Sequence, residues 1–365
     1  MRVAQVTYSY SPVRGGADVY ALTLHRALEA AGHESLVWQG WTEGAGGPEA
    51  RAIPETALSR LGRGRFWTLP LGLRAARRDL AACDVLIAHY ANYHQPLRWH
   101  PHTILLSHGV WWDDRPGAAR SRIKRAITRA AFDHATAVVA NDTFFLREMG
   151  LDIQPGATPH TEVLPGRHYL PNAVDLERFH PEGRPALNPR APLILVPRNL
   201  YENRGVHLAI EAMAAIRRDR PATMRIAGGD GQPTYAARCR RLTTDLGLDD
   251  AVTFAGAIPW ERMPEEYRRA DLALVPTLCG EGTSLAALEA MACGAPCVAT
   301  AVAGLQDLPA TLCEPTAAAI ATTCLEALDT GAELAHQQLE AVRQDFSLDR
   351  WTTTWLRVIE QTAAR

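Results

Sequence analysis

The chain has 365 residues, 47% of them hydrophobic and 21% charged, with a formal net charge of −2. That is too long for one compact core, ordinary for a globular protein, and far from the basic balance of a general nucleic-acid binder. No stretch approaches the roughly 18 apolar residues that a membrane-crossing helix needs.

Residues 3–8 read as a first strand, the turn 11–16 (SPVRGG) follows, and a helix runs from about residue 17 to Ala31 before Gly32. Residues 35–38 form a short second strand. Strand, glycine turn and helix N-terminus together make the opening of a Rossmann-like half. The dinucleotide pattern G-x-G-x-x-G is missing, because Gly15-Gly16 has no third glycine at the right offset, which argues against NAD at this turn. The opening decapeptide carries one charge and no apolar core, so a secretory leader is not expected.

Residues 40–60 are rich in Gly, Pro and small side chains and read as a loop. Residues 59–80 then mix Arg60, Arg63, Arg65, Arg74, Arg77 and Arg78 with Leu61, Phe66, Trp67, Leu69, Leu71 and Leu73. A solvated helix plus a partly buried loop accounts for this segment, since Pro70 and Gly72 interrupt any single amphipathic helix. An anchor on an anionic membrane surface is the alternative.

Residues 85–88 and 103–106 read as buried parallel strands opening into the turns His89-Tyr90 and Ser107-His108-Gly109. Ligands of open α/β sheets lie outside the C-terminal strand ends, which sets His108 apart from an ordinary structural histidine. Residues 116–133 read as a basic helix, 137–140 as the next strand, and Asn141-Asp142-Thr143 as a helix cap. The proline-rich, aperiodic stretch 176–192 reads as a linker.

A second strand–helix series follows, with strands at 193–196, 224–227 and 252–254 and turns at 198–205 (RNLYENRG) and 228–231 (GGDG). Alternating strands and helices through two halves imply two doubly wound α/β domains with a cleft between them. The stretch 281–300 (EGTSLAALEAMACGAPCVAT) stands out. It follows an apolar strand at 272–276, and Gly280 and Gly282 place Glu281 in a tight turn. The helix begins near Ser284, and Glu289 lies eight positions after Glu281. Two acids beside a helix N-terminus, whose free N–H groups attract an anion, suit a ligand carrying both phosphate and hydroxyls. The seven cysteines are odd in number and contain no C-x-x-C pair, so reduced, mostly buried thiols are expected.

These residues resemble a family. Glu281, seven residues, Glu289 and then A-M-A-x-G-x-P are similar to the retaining glycosyltransferases of family 4, which have the two-domain GT-B fold. Gly15-Gly16 with Gly32-His33-Glu34 resembles the opening of that family, and Ser107-His108-Gly109 its acceptor-side turn. Pro171-Asn172-Ala173-Val174-Asp175 resembles P-N-G-V-D, with Ala173 departing from glycine. Arg198-Asn199-Leu200 with Arg204-Gly205 resembles R-L followed by K-G, and Gly229-Asp230-Gly231 a G-x-G turn. The resemblance covers nearly the whole chain in order.

It implies an acceptor-side domain over 1–180, a donor domain over 181–345 and a final helix, 346–365, crossing back to the first domain. It implies a nucleoside-diphosphate sugar as donor, UDP- or GDP-linked, and no cofactor or required metal; the absence of any D-x-D fits. Arg198, Arg204 and the turn Gly282, Thr283, Ser284 and Leu285 would hold the diphosphate. Arg at the family's usual Lys position keeps the charge and adds a planar fork. Glu289 and Gly229 would bind the nucleotide and its ribose, and Glu281 and His108 would be catalytic. Gly15 and Gly16 would form an acceptor or phosphate turn. Expected partners are a glycan, lipid-linked or small-molecule acceptor and an anionic membrane face, with no nucleic acid. The implied setting is cytoplasmic cell-surface glycan synthesis at the inner face of the membrane. A natural-product glycosyltransferase, a same-fold epimerase and a non-catalytic sugar-nucleotide binder remain alternatives.

Overall fold

In a computed structural model, residues 1–11, 13, 15–40, 50–61, 65–112 and 118–365 are described. Pro12 and Arg14 of the first turn, residues 41–49 of the expected loop, Arg63 and Arg115 lie outside the described residues. Among the described residues no helix is long and apolar enough to cross a membrane. The chain forms two compact units, one of Met1–Pro171 with Asp349–Arg365 and one of Asn172–Leu348.

The first unit is built on β1 (Arg2–Thr7), β2 (Glu34–Gln39), β3 (Ala50–Ala52), β4 (Val85–Ala88), β5 (Thr103–Ser107), β6 (Ala137–Ala140), β7 (Thr161–Leu164) and β8 (Arg167–Tyr169). Their order across the sheet is β3-β2-β1-β4-β5-β6-β8-β7. All neighbours are parallel except the terminal hairpin β7–β8. The short strand β3 and that hairpin were not expected from the sequence. β7 is half exposed along its length, so its apolar signal is weak.

The segment 59–80 breaks into short helical turns, including Leu69–Arg74 and Arg77–Ala81. Leu69, Leu73 and Leu80 are fully buried against Ala4, Val6, Leu86 and Ala88 of the sheet. Its apolar side chains therefore serve this unit's core, while Arg74, Arg77 and Arg78 stay exposed.

The second unit carries β9 (Leu193–Val196), β10 (Thr223–Ala227), β11 (Val252–Gly256), β12 (Leu272–Val275), β13 (Cys297–Thr300) and β14 (Thr311–Cys313). They are ordered β11-β10-β9-β12-β13-β14, all parallel. Alternation sends Ile194, Val196, Leu272, Leu274 and Val298 into one buried layer. Leu195, Ala273, Val275, Cys297 and Ala299 enter the other, where they meet Leu288 and Met291 of the helix Leu285–Ala292. The sheet is therefore covered on both faces, as a purely parallel sheet requires.

The stretch 176–192, expected as a linker, is instead packed on the second unit. Phe179 is buried in the same layer as Leu195, and Asp271 accepts hydrogen bonds from the Asn188 and Leu193 amides at 2.6 and 2.8 Å. Its prolines made it look unstructured, but the anchoring comes from residues distant in sequence.

Among the parallel strands the order reverses at one point in each sheet, between β1 and β4 in the first and between β9 and β12 in the second. Two glycines let the backbone pass tightly beside the second of these points. Gly205 has φ of 66°, and a Cβ there would run into the Pro276 carbonyl oxygen; a Cβ at Gly228 would meet the Arg198 carbonyl. Gly205→Ala should therefore destabilise the chain by about 2 kcal/mol or more, measured by denaturant unfolding. An unchanged midpoint would mean the close approach is not needed.

Candidate active site

The reversal point of the second unit gathers charge. β9 ends at Val196, and two residues later Arg198 turns under the sheet edge, 8% exposed. One of its terminal nitrogens, Nη2, donates to Glu281 Oε1 at 3.3 Å and to Ser284 Oγ at 2.8 Å. Burial pulls its pKa down to about 10, so it still carries its charge at neutral pH. Its Nε is buried with no hydrogen-bond partner. Arg204, at the end of the short turn Glu202–Arg204, pairs with the other oxygen of the same carboxylate, Glu281 Oε2. Two guanidinium groups thus share one carboxylate.

Glu281 is held there by its backbone, whose carbonyl accepts from the Gly304 amide at 3.0 Å. Gly282, Thr283 and Ser284, all buried, lead into the helix Leu285–Ala292. Thr283 Oγ1 accepts from the Asn172 amide at 2.8 Å, and its carbonyl accepts from the Asn172 side chain. Ser284 is the N-cap residue, yet no side-chain cap bond is made, because its hydroxyl accepts from Arg198. An N-terminus without a side-chain cap keeps its positive end available to an anion. Gly229, in the turn after β10, donates its N–H to Asn199 Oδ1 at 2.8 Å and so ties this turn to the arginine loop.

Glu289 sits little more than one turn along the same helix, 6% exposed. Its carboxylate accepts from Trp260 Nε1 at 2.9 Å and from Tyr267 OH at 2.8 Å. Arg178 lies 3.7 Å over the Trp260 ring, which it fixes from the other side. Burial raises the Glu289 carboxyl to about 7, against the hydrogen bonds from Trp260 and Tyr267 and the charges of Arg178 and Arg198. Each oxygen keeps a second lone pair for a ligand hydroxyl. Trp260 and Tyr267 were not singled out from sequence, and nothing short of the fold reveals that they meet Glu289.

The reversal point of the first unit gathers histidines. His89 follows β4, and His108 follows β5 just before Gly109, whose φ is 107°. Their rings touch, His89 Nδ1 to His108 Nε2 at 3.1 Å, and His89 Nε2 lies 2.9 Å from Gln5 Oε1 on β1. Gln5 is a fully buried polar residue set among Val3, Ala4 and Val6 of β1, a signal the sequence did contain.

Gly15 is the N-cap of the helix Gly16–Ala30. Its N–H donates to Asp18 Oδ2 at 3.2 Å, and Ser9 Oγ donates to Asp18 Oδ1 at 2.5 Å. A buried carboxylate therefore already occupies the Gly15 amide of the turn expected to take acceptor or phosphate. A hydroxyl suits this turn better than an anion does. Cys83, Cys239, Cys293, Cys297, Cys313 and Cys324 are buried free thiols and Cys279 is half-buried.

Two doubly wound, mainly parallel-sheet units of this topology make the GT-B fold. The fold of sucrose-phosphate synthase from Thermosynechococcus elongatus matches with a TM-score of 0.82 at 20% identity, over 100% of this chain and 99% of that one. The pattern described as Glycosyltransferase Family 4 matches residues 14–178, and that of Glycosyl transferases group 1 matches residues 191–330. The chain is 28% identical over 351 residues to the D-inositol 3-phosphate glycosyltransferase of Acidothermus cellulolyticus, covering 83% of this chain and 76% of that protein. It is 26% identical over 310 residues, 80% of this chain and 70% of the other, to a GDP-mannose-dependent alpha-(1-6)-phosphatidylinositol monomannoside mannosyltransferase of Mycobacterium tuberculosis. The chain belongs to glycosyltransferase family 4 and is an enzyme using a nucleotide sugar.

The raised Glu289 pKa has a stability consequence. The folded state holds this proton more tightly than an unfolded carboxyl near 4.5 does. The stability it confers is therefore fully present below about 4.5 and is lost as pH rises through about 7. Glu289→Gln stays neutral, so its melting temperature relative to wild type should climb by a few degrees between about pH 5 and pH 8. A flat difference across that range contradicts the assignment.

Proposed function

We propose that the enzyme moves a hexose from a UDP- or GDP-sugar to a hydroxyl acceptor with retention at the anomeric carbon, in the assembly of a cell-surface glycan or glycolipid. The observation that carries this reading is the pairing of Arg198 and Arg204 on Glu281 beside the helix N-terminus at Ser284. As the sugar departs, negative charge grows on the β-phosphate of the leaving group. Two guanidinium groups and the amides of Gly282, Thr283, Ser284 and Leu285 are the groups that would stabilise it.

In this reading the diphosphate draws the two arginines away from Glu281. The released carboxylate then holds hydroxyls of the transferred sugar and stabilises positive charge developing on its ring. Glu289 receives the ribose hydroxyls on its remaining lone pairs, and Gly229 borders the nucleotide. His108 serves the reacting sugar, and Gly15 and Gly16 lie on the acceptor side. The guanidinium charges do what a divalent cation does for a diphosphate elsewhere, so the reading requires no metal or other cofactor.

The acceptor class is supported by the relatives, whose names specify an inositol phosphate and a phosphatidylinositol mannoside. A polyol phosphate or lipid-linked polyol is therefore proposed over a natural-product aglycone. Exposed Arg74, Arg77 and Arg78 supply positive charge for contact with an anionic membrane, though their apolar neighbours are buried and give no insertion surface.

Glu281→Gln separates binding from chemistry. Nucleoside-diphosphate affinity by calorimetry should stay within about threefold or tighten, because the arginines lose their internal partner, while kcat falls by about a hundredfold or more. Collapse of diphosphate binding would reject the role given to Glu281. A turnover panel of UDP-, GDP-, ADP- and TDP-sugars should show one UDP- or GDP-sugar consumed, at a rate unchanged by EDTA. Its product should keep the anomeric configuration of the donor by NMR coupling; an inverted product would contradict retention.

A further inference from the structure

The chain of polar contacts from Gln5 to His108 has a direction. Gln5 Nε2 donates to the Ala21 carbonyl at 3.3 Å, which leaves Oε1 facing His89 Nε2 at 2.9 Å. An amide oxygen only accepts, so His89 carries its proton on Nε2 and its Nδ1 is a bare lone pair. That lone pair lies 3.1 Å from His108 Nε2, so His108 must donate from Nε2. In neutral His108 the remaining nitrogen, Nδ1, is then an acceptor and cannot donate.

The surroundings keep both rings neutral. Burial takes His89 well below the usual imidazole range and His108 down to about 4. Among the described residues, the titratable groups facing the pair are Tyr20 of the helix Gly16–Ala30 and Tyr90 of the turn after β4. Tyr20 is 6.3 Å from His89 and 5.2 Å from His108 between ring centroids, and Tyr90 is 5.8 Å from His108. Burial raises the pKa of both phenols, which stay uncharged. Asp18 reaches Tyr90 through its charge. Behind Tyr20 stand Trp351, at 5.0 Å, and Trp355, whose Nε1 donates to the Tyr20 hydroxyl at 2.8 Å. Among the described contacts no carboxylate touches either imidazole, so the Gln5 amide alone sets the polarity of the chain.

We propose that Gln5 and His89 are positioning residues that lock His108 in its Nε2-protonated tautomer, so that His108 offers the substrate a hydrogen-bond acceptor at Nδ1. The ligand group it takes is a hydroxyl, which can donate, and not a bare ether or phosphate oxygen. This rests on the reading of His108 as serving the reacting sugar. A site of fixed polarity discriminates more sharply than a ring free to swap tautomers, because the wrong partner leaves a buried polar atom unpaired.

The test combines imidazole 15N NMR with kinetics on the full chain. In wild type both His89 and His108 should show protonated Nε2 and unprotonated Nδ1 at neutral pH. His89→Leu removes the acceptor, so His108 should show mixed tautomers, with kcat lowered about five- to tenfold and the donor KM unchanged. His89→Asn places an amide oxygen near the position of Nδ1 and should restore both the tautomer and most of kcat, which a merely space-filling role would not. Gln5→Met should reproduce the tautomer mixing from one residue further away.

Finding wild-type His108 protonated on Nδ1, or as imidazolium at neutral pH, would overturn the proposal. So would a folded His89→Leu enzyme with wild-type kcat and an unchanged His108 signal, while His108→Ala is inactive. A fully active His108→Ala enzyme would instead overturn the role of His108 itself, and the proposal with it.

Discussion

A guanidinium group buried to the extent of Arg198 is costly unless its charge is answered, and the second unit is arranged around that demand. Glu281 and Ser284 answer it from the strand-to-helix turn after β12, a long way along the chain from β9. The consequence is local and chemical. Ser284 spends its hydroxyl on Arg198 and so leaves its helix without a side-chain cap, and Glu281 is shared with Arg204. Positive charge is concentrated there and internally compensated. Gly205 and Gly228 are required because the loops bearing these side chains run against the Pro276 and Arg198 backbones.

The same topological rule operates twice. In the parallel part of each sheet the strand order reverses once, and adjacent loops diverge there at the C-terminal strand ends. The second unit uses its reversal point to concentrate charge. The first fills its own with neutral hydrogen-bonding groups, Gln5, His89 and His108, whose burial suppresses protonation. One fold thus supports two electrostatic characters, set by which residues end the strands.

Much of this was legible in the sequence because parallel strands buried on both faces read as short apolar runs. Glycine turns marked their ends, and Glu281, Glu289, Arg198, Arg204 and His108 all lie at such ends or on the helix that follows. What escaped were partners fixed by tertiary structure. Trp260 and Tyr267 look like ordinary core aromatics until the fold sets them on Glu289. Asp18 looks like a solvated helix residue, yet it closes the Gly15 amide. The proline-rich stretch 176–192 gave no periodic signal although Phe179 anchors it in the core. Strand β7 alternates only between half-buried and exposed, so no apolar run announced the hairpin.

The central claim is that Glu281 stands in for a diphosphate that the two arginines are built to receive. A crystal structure with an intact nucleoside-diphosphate sugar tests it most directly. The diphosphate should lie at the helix N-terminus by Ser284 and Leu285, with Arg198 and Arg204 turned onto its oxygens and Glu281 on sugar hydroxyls. A bound donor with both arginines still paired to Glu281 and its diphosphate elsewhere would contradict the account.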